Sequence, residues 1–94
     1  MQYTNIANKA TNVIKVGAGF LQGVTVAGAG TSWTMQIFDS SDAGTPSNGS
    51  AIFGATAVTV PTANTQIVLN VHFTKGLIVV TGGTTAGELV VEWY

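Results

Sequence analysis

The chain has 94 residues, 7% of them charged, with a net charge of −1, one histidine and no cysteine. That length fits one domain, which buries only roughly 60–65% of the surface its unfolded chain exposes. Three scattered lysines, Lys9, Lys15 and Lys75, exclude a basic stripe for nucleic acid; the missing cysteines exclude disulfides, thiolate chemistry and the usual zinc sites, and no apolar run approaches the ~20 residues of a membrane helix.

The only anions are Asp39, Asp42, Glu88 and Glu92. Ordinary domains carry roughly 25% charged residues. A surface with so little self-repulsion depends on Thr, Ser, Asn and Gln for solubility, and it suits permanent association. Residues Met1–Thr11 are polar and lack the hydrophobic stretch of a signal peptide. Synthesis in the cytoplasm is therefore expected, with the product kept there or released by lysis.

Thr, Val and Gly dominate the chain and form helices poorly. Short β-branched runs alternate with Gly, Asn, Pro and Ser clusters at roughly ten-residue spacing, which predicts an all-β sandwich or barrel. Residues Met1–Asn12 show no clear period and form an arm lying on a neighbouring subunit, a strand, or a frayed end, the last less favoured because Tyr3 and Ile6 would gain from a surface to rest on. The sandwich domain proper is expected over 13–94. Val13–Val16 is the first strand of the regular pattern, and Gly17-Ala18-Gly19 breaks it. Phe20–Val26 is the next. A glycine-rich turn at 27–32 leads to Trp33–Phe38, with Trp33, Met35 and Ile37 on one face. Asp39–Ser50 is almost free of apolar residues and reads as a solvent-exposed loop. Ala51–Ala55 is a short strand that Ala57–Val60 extends or follows, and Pro61 ends pairing.

Gln66–Thr74 has the clearest two-residue period, with Ile67, Leu69, Val71 and Phe73 on the core face. Lys75-Gly76 bends the chain. Leu77–Thr81 is nearly continuous apolar, so both of its faces are expected to be covered. Gly82–Gly87 reads as a flexible hairpin loop. In the last strand, Glu88–Tyr94, the residues Leu89, Val91 and Trp93 face inward and Glu88 and Glu92 face out. The expectation is a single antiparallel β-sandwich or jelly-roll-like domain of about seven strands.

No constellation for catalysis, cofactor binding or metal binding emerges. His72 lies mid-strand on the polar face, with no partners at catalytic spacing. Glu88 and Glu92 share a face but sit roughly 13 Å apart by strand rise, too far for a glycosidase pair. They read instead as solvating residues that discourage edge-to-edge association of the last strand. Asp39 and Asp42 do not match a calcium-loop pattern and read as turn formers. The glycine pairs at 17–19 and 28–30 lack a following helix and the Walker lysine. Aromatics outside the core face remain. Phe38, Phe53 and Tyr94 are candidate interface residues, as are Tyr3 and Ile6, which would gain from a surface to rest on.

The segments Asn12-Val13-Ile14-Lys15, Gly19-Phe20-Leu21-Gln22-Gly23, Trp33 to Asp39, Phe73-Thr74-Lys75-Gly76-Leu77 and Glu92-Trp93-Tyr94 form a series of strand and turn signatures. In that series the chain resembles the small virion structural proteins of tailed bacteriophages. From the first of these segments to the last, the resemblance extends over about nine tenths of the chain, although Gln22 is one residue more than the Gly-Phe-Leu-Gly step of that pattern. The resemblance implies a β-sandwich that decorates or cements the head of the virion, bound to the major capsid protein at the capsid surface, often as a homotrimer. It implies no catalytic residue, no cofactor, no nucleic-acid partner and no membrane partner. Tail, fibre and receptor-binding modules share such sequences and supply the alternative.

Overall fold

The computed structural model describes all residues, 1–94. Eight strands build it: β1 (Gln2–Ile6), β2 (Thr11–Val16), β3 (Gly19–Gly28), β4 (Thr31–Asp39), β5 (Ser50–Thr59), β6 (Gln66–Phe73), β7 (Gly76–Thr85) and β8 (Glu88–Trp93). Pairing is antiparallel throughout, in two four-stranded sheets ordered β1-β8-β3-β6 and β2-β7-β4-β5. Only β4 and β5 are consecutive strands in one sheet; every other connection crosses from sheet to sheet. This is a jelly-roll sandwich, measuring 31 × 27 × 17 Å. The eighth strand comes from the segment whose period was unclear. Residues 1–12 hold β1, paired with β8 from Gln2↔Trp93 to Ile6↔Leu89, and the first two residues of β2.

Alternation places the core between the sheets. Leu21, Val24 and Val26 of β3 and Leu89 and Val91 of β8 meet Trp33, Met35 and Ile37 of β4 and Leu77 and Val79 of β7, all fully buried. Trp33 is the largest of the fully buried side chains. Its indole N–H donates to the Asn8 carbonyl at 2.9 Å. The Thr81 hydroxyl donates to the same carbonyl at 2.7 Å and accepts from the Ala10 N–H at 3.2 Å. The β1–β2 connection is thus fastened to the middle of the second sheet. At the middle of β1, the Trp93 indole N–H donates to the Thr4 hydroxyl at 3.0 Å.

Of the two alternatives for the segment after Ala55, extension holds: β5 runs as one strand over Ser50–Thr59, bulging beyond Phe53, where the Gln36 amide donates to the carbonyls of Gly54 and Ala55 at 3.1 Å each. One expectation is corrected. Gly82–Gly87 is not a hairpin loop. The strands flanking it lie in different sheets, β7 continues to Thr85, and Gly82 and Gly83 sit within it opposite Thr34 and Trp33. The loop after β4 is exposed over most of its residues, as its composition predicts, and a short 3-10 turn at Pro46–Asn48 brings Pro46 and Ser47 back beside Phe38.

Candidate functional site

The five aromatic and aliphatic residues singled out in the sequence separate into two groups. Ile6 is buried in the core, and Phe53 pairs with Ile37 and packs against the same cluster, so both serve the fold. Phe38 points away from the core, opposite Ile78, yet it is only 6% exposed. It lines a hollow of about 300 Å³ with Thr11, Gln36, Pro46 and Val80, under the 3-10 turn. The apolar loop residue Pro46 covers it, which composition alone did not reveal. Tyr3 and Tyr94 remain open, 65% and 53% exposed.

Both tyrosines belong to the outer face of the β1-β8-β3-β6 sheet. Tyr3 lies opposite Glu92 in the β1–β8 register, and Tyr94 follows the inward Trp93. Its backbone stays paired beyond β8, with the Tyr94 N–H donating to the Phe20 carbonyl at 2.8 Å. On the same face Val68 is 62% exposed. At one end Phe20 meets His72 edge-on, with ring centroids 4.9 Å apart, and meets Tyr94 at 5.9 Å. These three rings, with Phe73 and Thr74, line a shallow hollow of about 490 Å³. Phe20, Val68 and His72 were not picked out from the sequence as interface residues. The signal for Phe20 was its adjacency to Leu21: two neighbouring large apolar residues on one strand cannot both face the core.

The acids are mostly occupied by the fold. Burial pushes the Asp39 carboxyl up, but N–H groups of Thr74, Lys75 and Gly76 and the Thr74 hydroxyl donate to it and hold it below the usual carboxylate range. Asp39 therefore clamps the β6–β7 turn. Asp42 is lowered by the Thr45 N–H and the Asn48 amide, against a small opposing effect of burial and with help from the Gly44 N–H. No three His, Cys, Asp or Glu side chains come together in a metal-holding arrangement. Glu88 is exposed and accepts from the Asn5 amide at 3.2 Å. Glu92 differs from expectation. It faces outward but is only 6% exposed, and β8 lies between β1 and β3 instead of at an edge. Glu92 therefore neither solvates the last strand nor guards an edge.

A depressed carboxyl gives a pH dependence of defined sign. Asp39 stabilises the fold fully above its unfolded pKa, about 4, and that contribution fades as pH falls through the lower folded value. Asp39→Asn is expected to cost about 1–2 kcal/mol at pH 7 and to flatten the loss of stability between about pH 4 and pH 2. Asp42 leaves part of the acid limb in place. Urea denaturation across that range checks it; superimposable acid limbs would show that Asp39 is not the responsible group.

No protein-family model, no curated protein and no solved structure matches this chain.

Proposed function

We propose that this protein is a bacteriophage capsid decoration protein, a small sandwich that binds the outside of the major capsid lattice and stabilises the head. The observation that carries the reading is the outer face of the β1-β8-β3-β6 sheet. Tyr3, Val68 and Tyr94 are each more than half exposed there, on a chain with only seven charged side chains. Exposed aromatic and aliphatic groups without a surrounding field of like charge favour a covered surface. The resemblance of several segments to small phage virion proteins is in line with the same reading and implies a homotrimer.

Such a protein acts by adhesion. Each copy bound across neighbouring capsid subunits adds binding free energy to the assembled shell alone, so mass action favours the shell over its parts. No group on this face needs to react. The test is localisation in an assembled particle. Antibody-labelled virions are expected to show the protein over the head surface. Purified protein is expected to saturate shells that lack it and to raise the temperature at which they release DNA. Particles that never bind it would end the reading.

One observation favours the alternative of a tail, fibre or receptor-binding module. The hollow lined by Phe20, His72, Thr74 and Tyr94 combines exposed rings with polar groups, an arrangement suited to stacking on a sugar ring. Label confined to the tail would select that reading over the first.

A further inference from the structure

One carboxylate on the outer face of the β1-β8-β3-β6 sheet is left half satisfied by the rest of the chain. Leu89 and Val91 face the core, so Glu92 points outward, although it is only 6% exposed. One of its oxygens, Oε1, accepts from the Thr25 hydroxyl, and Oε2 accepts from nothing in the protein. Every side-chain oxygen or nitrogen sealed from solvent has a hydrogen-bond partner. The unpartnered Oε2 is therefore the part of Glu92 that reaches the surface. None of the chain's cations serves it. Lys9 donates to the Thr84 carbonyl and Lys15 to the Ala18 carbonyl, while Lys75 lies in the β6–β7 turn. Oε2 is thus an acceptor that meets solvent and that no group of this chain engages, held at the centre of the face by the bond at Oε1.

We propose that Glu92 is the docking point for an arginine side chain of the protein that covers this face. The surroundings suit a guanidinium. Tyr3 lies directly opposite Glu92 on β1, and on the other side Gly23 of β3 lies opposite Glu92 and Val68 of β6 opposite Gly23. The row across the sheet is thus Tyr3, Glu92, Gly23, Val68. With strands about 4.8 Å apart, exposed Tyr3 and Val68 flank the carboxylate at the two ends of a row about 14 Å long. A planar, weakly hydrated guanidinium can bond Oε2 while resting on the tyrosine ring; a lysine ammonium is compact and strongly hydrated, and gives up more water to enter. The carboxylate's lack of a cation is a property of this chain alone. The identity of the protein that supplies the arginine rests on the capsid reading above.

Two measurements test the site separately from that reading. In the first, the free protein is titrated with N-acetylarginine amide and followed by NMR. Saturable shifts are expected at the Glu92 carboxyl carbon and the Tyr3 and Thr25 amides, absent in Glu92→Gln and weaker with N-acetyllysine amide. No saturable shift, or the same shift in Glu92→Gln, overturns the site; equal shifts with the two amides overturn the choice of arginine. In the second, Glu92→Gln, which is expected to fold with at least the wild-type Tm, is added to shells lacking the protein. Loss of affinity by about thirtyfold or more is expected, with a shallower salt dependence, and Glu88→Gln should bind as wild type. Unchanged binding of Glu92→Gln overturns the docking role. Failure of wild-type protein to bind any shell refutes the capsid reading, while the first titration still decides the site.

Discussion

Truncating Trp33 to alanine is expected to destabilise the protein by about 3–5 kcal/mol, the largest effect of any single core substitution here. Folded domains hold only about 5–15 kcal/mol in all, so the variant should lose much of its stability or fail to fold at 37 °C. Two effects combine. The fully buried indole fills the middle of the sandwich between β4 and the strands of the facing sheet, and its N–H is one of two donors to the Asn8 carbonyl. Trp33→Phe separates them, since it keeps most of the volume and removes the donor. That variant should cost about 1–3 kcal/mol and should loosen the β1–β2 connection first. Amide exchange at Gln2–Ile6 would then accelerate more than exchange in β3 or β7. Urea midpoints for Trp33→Ala close to wild type would show that the tryptophan is not central to the core.

The parts of the fold legible in the sequence are those where one residue pattern had one physical meaning. In β6, Ile67, Leu69 and Phe73 alternate with exposed partners because one face meets the core and the other meets water. The buried run in β7 is continuous because Ile78, on its outer side, is covered as fully as Leu77 and Val79 on its inner side. Legibility failed where the same residues serve two purposes. Glycine marks turns, but Gly82 and Gly83 lie inside a strand, and at Gly83 the backbone of β4 passes close by. Glutamate marks solvent, but Glu92 lies on an inner strand of its sheet and is only 6% exposed. Phe38 has the parity of a surface residue and is covered by a loop whose only large apolar member is Pro46. Sheet membership was not legible at all. Alternation shows which side of a strand is buried, not which strand lies beside it, and here nearly all sequence neighbours belong to opposite sheets.

The same division explains why the candidate surface was only half visible. Tyr3 and Tyr94 were legible as aromatics outside the core pattern, though they lie 91 positions apart in the sequence (94 − 3). Pairing of β1 with β8 and of Tyr94 with Phe20 gathers them with His72 onto one face. The face is therefore assembled by topology, and its residues come from both chain ends and two interior strands. A partner bound there would stabilise β1 and β6, the two edges of that sheet, which a small domain with a thin core leaves otherwise open to pairing.

Placing a methyl group on Gly83 tests how closely the backbones approach at that point in β7. The residue has a φ of +102°, and an added β-carbon would lie 1.9 Å from the Ser32 carbonyl oxygen and 3.1 Å from the Trp33 α-carbon. Those atoms are backbone of the paired strand β4, so they cannot rotate aside. Gly83→Ala is expected to cost about 2–4 kcal/mol, from the unfavourable φ and from the strand separation it forces. At about 4–8 °C per kcal/mol for a domain of this size, the Tm should fall by more than 10 °C. Two controls divide the causes. Gly17 has a φ of +93° with nothing within 4 Å, so Gly17→Ala carries only the conformational part, about 1 kcal/mol. Gly82 needs no positive φ and meets only the Thr34 hydroxyl at 3.4 Å, so Gly82→Ala should be nearly neutral. Thermal and urea unfolding of the three variants should give the order Gly83, Gly17, Gly82. Equal losses at Gly83 and Gly17 would mean that φ alone matters, and that β4 can move away from β7 without disturbing the Trp33 core beside it.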